Sequence, residues 1–199
     1  MPDSASATTA KNSNSLLERG FKSWCENTSA VIRRKLDLDD SAPLAWQQVA
    51  AYLGVEVREL SSLVHLGQDS KDYLTSPAGD EWSAVTVASP EKVIVVANPQ
   101  HSPGRCSNSI MHELSHVMLE HGGSRVFVTE DGFALRDYNE KQETEADWLA
   151  GSLLLPRTAL RYLHYHHVSK EQALQDYCVS SELYEFRIRM TAINRQFRR

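Results

Sequence analysis

Two histidines flank a glutamate in the run His112-Glu113-Leu114-Ser115-His116. On a helix, residues four apart lie on one face about a turn apart, so both imidazoles can reach one metal ion with the glutamate beside it. Zinc suits such a set: nitrogen and oxygen ligands, tetrahedral geometry, and one position open to water, whose pKa falls to roughly 7. A neighbouring carboxylate can take that water's proton as general base, and Glu113 is the candidate for this role. The chemistry implied is hydrolysis of an amide bond. A five-residue pattern also arises by chance, so its surroundings must discriminate.

The surroundings predict a helix over Ser107 to His121, with Ser107, Asn108 and Ser109 as cap chemistry and Gly122-Gly123 as the stop. With His112 at 0° and about 100° per residue, His116 falls near 40° and Glu113 near 100°. Ile110, Leu114, Val117 and His121 fall between about 140° and 200°, so an apolar stripe faces away from the metal side and His121 is expected on it as a structural histidine. A metzincin would carry a third histidine six residues after His116, where this chain has Gly122. The third ligand is sought downstream, in Glu143-Thr144-Glu145-Ala146-Asp147. Helical stepping places Asp147, Ala150 and Leu154 within about 40° of Glu143, with Glu145 on the other side near Trp148 and Ser152. Glu143 is the candidate ligand and Glu145 the alternative. Asp147, one turn on, is placed to accept the second ring N–H of a ligand histidine and fix its tautomer. Ala146 and Gly151 are small enough to let two helices approach.

H-E-x-x-H followed by E-x-x-A-D resembles the gluzincin pattern, and the flanks resemble the ImmA/IrrE family of zinc metallopeptidases. Pro43-Leu44-Ala45 through Ala50, Leu53-Gly54-Val55 and Val57 resemble that family's N-terminal helix and strand. Val93 to Pro99 and Arg105 resemble the approach to its active helix. Glu143 to Asp147, Ala150 and Leu153-Leu154-Leu155-Pro156 resemble its E-x-E-A-N…LLMP segment, and Tyr177, Val179-Ser180 and Arg187 its closing helices. The likeness spans about residues 30 to 190. Ser115 stands where the family usually has glycine, Asp147 where asparagine is commoner, and Ser107 and Asn108 replace basic and aromatic residues. The resemblance implies an α+β fold, a small zincin-like core with C-terminal helices. It also implies a protein substrate of the helix-turn-helix repressor class, from a mobile element or a stress response.

These residues need elements to hold them. Ser15 to Leu36 is expected as a helix with Leu17, Phe21, Trp24, Ile32 and Leu36 inward, then Leu44 to Leu53 as a short helix closed by Gly54. Val55 to Arg58 starts a strand, and Ser61 to Asp80 gives no clear signal. Trp82 to Ala88 and Lys92 to Asn98 meet at Ser89-Pro90-Glu91 as a hairpin packed on the active helix, and Arg125 to Val128 with Phe133 to Leu135 make a second. An antiparallel edge there would suit a substrate held as an added strand. The Glu143 helix runs to Leu155 before Pro156, and two helices close the chain. The organisation expected is a disordered tail over 1–14 and one domain over 15–199. Within it, 15–60 form an N-terminal helical module, 82–156 the catalytic core and 157–199 the C-terminal helices.

At 199 residues and 41% hydrophobic, the chain can bury one core. Cys25, Cys106 and Cys178 are odd in number and widely spaced, which argues against a disulfide framework and for a reducing cytoplasm. No signal-peptide pattern and no apolar run of about 18 residues is present, so no membrane partner is expected. His164, His166 and His167 lack a carboxylate or cysteine at ligand spacing and read as a surface helix end. Candidates for an oxyanion or substrate contact are Arg105, Tyr138, Tyr162 and His164. The alternative function is DNA binding through Glu171 to Met190, a helix-turn-helix-like pair followed by a basic end that includes Arg187, Arg189, Arg195, Arg198 and Arg199. The net charge of −5, with Glu182 and Glu185 in the second helix, opposes it. A metal-binding anti-repressor without turnover would need His112, His116 and Glu143 but has no use for Glu113. The expectation is therefore a zinc endopeptidase with one ion per chain, although manganese and iron fit the same ligands.

Overall fold

The computed structural model describes residues 16–62, 82–88, 93–121, 126–128, 134–136 and 139–193. The tail over 1–14, the turns of both hairpins, Gly122-Gly123 and Tyr138 lie outside them, as do Arg195, Arg198 and Arg199.

Two helices meet along the centre of the molecule. α3 (Pro103–Met118) and α4 (Glu140–Leu154) form its most extensive helix–helix contact. α3 buries Ile110, Met111 and Leu114, and α4 buries Ala146, Leu149, Leu153 and Leu154. At about 1.5–3 kcal/mol for each large apolar side chain removed from water, this seam is a major source of stability. α1 (Phe21–Lys35) lies against α4, and α2 (Trp46–Leu53) precedes the first strand and packs on α3. Gly54 closes α2 in the left-handed region at φ 68°, where glycine has no Cβ to clash.

Beside α3 stands a three-stranded sheet in the order β1 (Glu56–Glu59), β3 (Val93–Ala97), β2 (Ala84–Ala88). The expected hairpin is present, with β2 antiparallel to β3 and Thr86 opposite Val95. β1 joins β3 in parallel, so the sheet is mixed, not purely antiparallel. The central strand is the apolar one: Val95, Val96 and Ala97 are buried. β2 is an edge strand of this sheet among the described residues. The second hairpin pairs β4 (Val126–Val128) with β5 (Ala134–Arg136). Three helices close the described chain where two were expected: α5 (Arg157–Tyr165), α6 (Lys170–Asp176) and α7 (Ser181–Thr191).

Of the residues expected inward around α1, Ile32 is buried and Leu17, Phe21 and Leu36 pack against the core, and Trp24 departs from expectation. Cys25, Ser29, Ile32 and Arg33 point inward, while Trp24 is 44% exposed and stacks on Phe21. The polar members of that face have partners. The last carbonyls of a helix lack intrahelical donors, and α1 supplies them for α4. Ser29 Oγ donates to Ser152 O at 2.7 Å and Arg33 Nη2 to Leu153 O at 2.8 Å. Arg187 Nε of α7 donates to Leu155 O at 2.9 Å, just past the same helix end. Arg187 is fully buried and pairs with Glu26. It therefore does not belong to the basic C-terminal end expected for phosphate contact. Gly151 lets α7 approach, since a Cβ there would lie 3.0 Å from Arg187 Cδ and 3.4 Å from Leu183 Cδ1.

Candidate metal centre

α3 begins four residues earlier than expected. Ser102 is its N-cap and accepts from Arg105 N, and Pro103 occupies the first turn, where a missing N–H costs nothing. Ser107, Asn108 and Ser109 lie inside the helix. Gly104 is required by a close approach: a Cβ there would sit 2.6 Å from the backbone carbonyl of Val179. The start of α3 is thereby pinned to the turn before α7. Ser115 is fully buried, and its hydroxyl donates to Met111 O at 2.8 Å, so the extra oxygen is satisfied within the helix. α4 starts from Asn139, whose side chain accepts from the N–H groups of Lys141 and Gln142.

These starts bring His112 and His116 of α3 against Glu143 of α4. His112 Nε2 and His116 Nε2 are 3.0 Å apart, and Glu143 Oε2 lies 3.2 Å from the first and 3.6 Å from the second. Four tetrahedral ligands at roughly 2.0–2.1 Å from zinc stand about 3.3 Å from one another. The three atoms therefore fit one ion in spacing and donor type, and among the described residues they form a possible metal site. Asp147 Oδ1 lies 2.8 Å from His112 Nδ1, on the far side of that ring, as the spacing predicts. With Asp147 accepting, the proton of a neutral His112 sits on Nδ1 and Nε2 presents its lone pair inward.

Glu113 is buried, 4% exposed, and its Oε2 accepts from the hydroxyl of Thr86 on β2. Nothing in the local pattern around Thr86 signals this contact, since the two residues are 27 apart and meet only when the hairpin packs on α3. Beside His112 opens a cleft of about 270 Å³, with Asp147 at one wall and Ala150, Leu154, Leu183 and Phe186 supplying apolar surface.

His121 overturns its expected placement. α3 ends at Met118 and the chain reverses through Glu120, held at φ 53°. The His121 ring thus returns to the metal side, with Nδ1 3.0 Å from His116 Nδ1 and Nε2 3.2 Å from Glu145 Oε2. Glu145, the alternative ligand, faces His121 and stands outside the cluster of three. Arg105 reaches Ser83 Oγ at 3.3 Å, next to β2. Tyr162 is exposed on α5 with its ring against His166, and His164 lines a different cleft with His167, Tyr184 and Ile188. The structure does not bring either of these two to the cluster.

Burial opposes charge on His112, but its bonds to Asp147 and Glu143 outweigh that and raise its pKa from 6.5 to about 9. The bonds to His112 and then His116 hold the Glu143 carboxyl far below its ordinary 4.5, against the effect of burial. Burial, then the neighbouring His116, lowers His121. His112, with a folded pKa above its unfolded value, contributes stability that is complete below about pH 6.5 and is lost as pH rises through about 9. Glu143, with a depressed pKa, contributes stability present above about pH 4.5 and lost on acidification. The metal-free protein should therefore show a melting temperature that falls steadily from pH 6.5 to 9. Zinc addition at pH 7.5 should release close to one proton, read by calorimetry in buffers of different ionisation enthalpy.

A peptidase family model, described as the IrrE N-terminal-like domain, matches residues 50–189. The chain belongs to that family. The matched span of this IrrE-like chain runs from α2 into α7 and includes β2, both central helices, and Glu113, Thr86 and Asp147 with the three clustered ligand atoms. Membership supports a metallopeptidase-type function. It leaves out α1, which nevertheless supplies Ser29, Arg33 and Glu26 around the end of α4. No curated protein and no solved structure matches the chain. No helix among the described residues is long and apolar enough to cross a membrane.

Proposed function

We propose that this chain is a zinc endopeptidase that hydrolyses a peptide bond in a helix-turn-helix repressor of a mobile element or a stress response. The observation that carries the hydrolytic part is the buried Glu113, beside three converging ligand atoms and fixed by Thr86. Zinc held by His112, His116 and Glu143 would supply Lewis acidity for the scissile carbonyl and for the attacking water. Glu113 accepts the water's proton and delivers it to the leaving amine as the carbon–nitrogen bond breaks. Thr86 keeps the carboxylate from rotating away between these transfers. Asp147 holds the His112 ring.

β2 carries Thr86 and is an edge of its sheet among the described residues, so an extended substrate segment can pair with it antiparallel or parallel beside Glu113. The apolar cleft between α4 and α7 can then receive one substrate side chain next to His112. The repressor class of the substrate rests on the family resemblance. The same surface favours a strand-like cleavage segment, such as a linker between a repressor's domains, over a folded helix.

Metal content by mass spectrometry tests the centre. One zinc per chain is expected in the wild type and in Glu113→Gln, with the metal lost from Glu143→Ala after desalting. Wild-type protein without stoichiometric metal after reconstitution would overturn the proposal. The loaded Glu113→Gln variant then serves to hold a purified repressor uncleaved, while the wild type cuts it.

A further inference from the structure

We infer that His121 and Glu145 form an ordered hydrogen-bond relay that positions His116 as a metal ligand, an inference that rests on the metal centre proposed above.

The ring of His116 has two nitrogens. Nε2 faces His112 and Glu143 at 3.0 and 3.6 Å. For Nε2 to offer a lone pair, the proton of neutral His116 must sit on Nδ1 and must donate. The atom in reach is His121 Nδ1, at 3.0 Å. Two facing ring nitrogens bond only when one carries a proton and the other does not, so His121 Nδ1 accepts. That assignment places the single proton of neutral His121 on Nε2, which lies 3.2 Å from Glu145 Oε2, an atom that can only accept when ionised. Each bond fixes the next. With both rings neutral, one arrangement alone satisfies all the nitrogens: Glu145 accepts from His121, His121 accepts from His116, and His116 Nε2 presents its lone pair to the centre.

The backbone is built to return His121 to this place. After Met118 the helix closes in a Schellman turn: His121 N donates to His116 O at 3.1 Å and Glu120 N to Val117 O at 3.1 Å. Glu120 occupies the left-handed position at φ 53°, where glycine is the usual residue. The same residue whose ring supports His116 is thus anchored by its own N–H to the His116 carbonyl. The relay is shielded, with side-chain exposures of 8% for His121 and 13% for Glu145. Glu145 is steadied by Lys141, whose Nζ lies 3.7 Å from Oε1 and 2.8 Å from Glu18 Oε1. The two histidine ligands are therefore oriented by different means: Asp147 touches His112 directly, and Glu145 acts on His116 through a second ring.

The test uses the full-length protein and zinc alone, with affinity read by competition against a chromophoric chelator. His121→Ala should bind zinc 10- to 100-fold more weakly than the wild type, as loss of a partner behind a ligand ring does elsewhere. His121→Asn, whose carboxamide oxygen can accept from His116 Nδ1–H, should recover most of that affinity, and Glu145→Gln should lie between. The cobalt-substituted protein should show an altered visible spectrum in His121→Ala and a wild-type-like one in His121→Asn. Nitrogen-15 imidazole spectra of the zinc-loaded wild type should place the His116 proton on Nδ1. Equal affinity in wild type and His121→Ala overturns the relay, as does a weakened His121→Ala that asparagine does not rescue, or a His116 proton found on Nε2. A wild type that binds no zinc overturns the metal centre itself, a separate failure.

Discussion

Glu113→Gln should lower the rate of peptide cleavage by about 10²- to 10⁴-fold, the range that a positioned general base contributes. The substitution keeps the size of the side chain and lets the Thr86 hydroxyl still donate to an amide oxygen, so the hairpin should stay docked on α3. It removes the one atom set able to carry the proton from water to the leaving amine. Because Glu113 is outside the cluster of three ligand atoms, zinc content should equal that of the wild type. The protein should also melt at the wild-type temperature or above it, since a buried carboxylate, 4% exposed, becomes a neutral amide. The measurement is single-turnover cleavage of a repressor that the wild type cuts, with metal content and thermal melting on the same preparation. Cleavage at the wild-type rate by metal-loaded Glu113→Gln would remove Glu113 from the mechanism. Loss of metal together with activity would instead make the residue structural.

The parts of this site that a linear pattern could reveal are those governed by helical repeat alone. His112 and His116 are four apart on one helix, and Glu143 and Asp147 four apart on another, so helical counting puts each pair on one face. Counting also required that the helix continue. It failed for His121, because α3 stops at Met118 and a residue beyond a Schellman turn no longer obeys the 100° step. Thr86 was invisible for a different reason: a threonine in a strand is ordinary, and its contact with Glu113 exists only through tertiary docking. The start of α3 is legible at Ser102-Pro103, a cap followed by a first-turn proline, which is a stronger signal than the serines within the helix. The parallel docking of β1 on β3 has no local signature, because the segment that joins β1 to β2 carries no clear period. Hardest of all were the buried arginines. Arg33 and Arg187 read as solvent-facing charges in any hydrophobicity pattern, and they are inside because tertiary partners meet them: carbonyls around the end of α4 for both, with Ala42 O and Ser29 Oγ for Arg33 and Glu26 for Arg187.

Arg187→Met should cost a large loss of stability away from the centre, about 3–5 kcal/mol. The guanidinium is fully buried, donates to Leu155 O and pairs with Glu26, whose side chain is 21% exposed. Glu26 Oε2 also accepts from the N–H of Arg157 at the start of α5, so one ion pair ties α1, α5 and α7 to the end of α4. Removing the cation leaves Glu26 charged and poorly hydrated and leaves the Leu155 carbonyl without its donor, and methionine refills only the volume. For a chain of this size the melting temperature should fall by roughly 6–20 °C. The cause is separable by adding a second change. Glu26→Leu in the Arg187→Met background removes the uncompensated charge, and the double variant should recover a good part of the loss, because an apolar pair of similar volume often replaces a buried ion pair at little cost. A double variant as unstable as Arg187→Met alone would show that the carbonyl contact with α4, and not the ion pair, holds this end of the fold. Zinc affinity provides the connection to function. Glu143 and Asp147 lie on α4 about two to three turns from Leu155, so a frayed C-terminus should unfold the chain at lower temperature while leaving the zinc dissociation constant of the folded fraction unchanged.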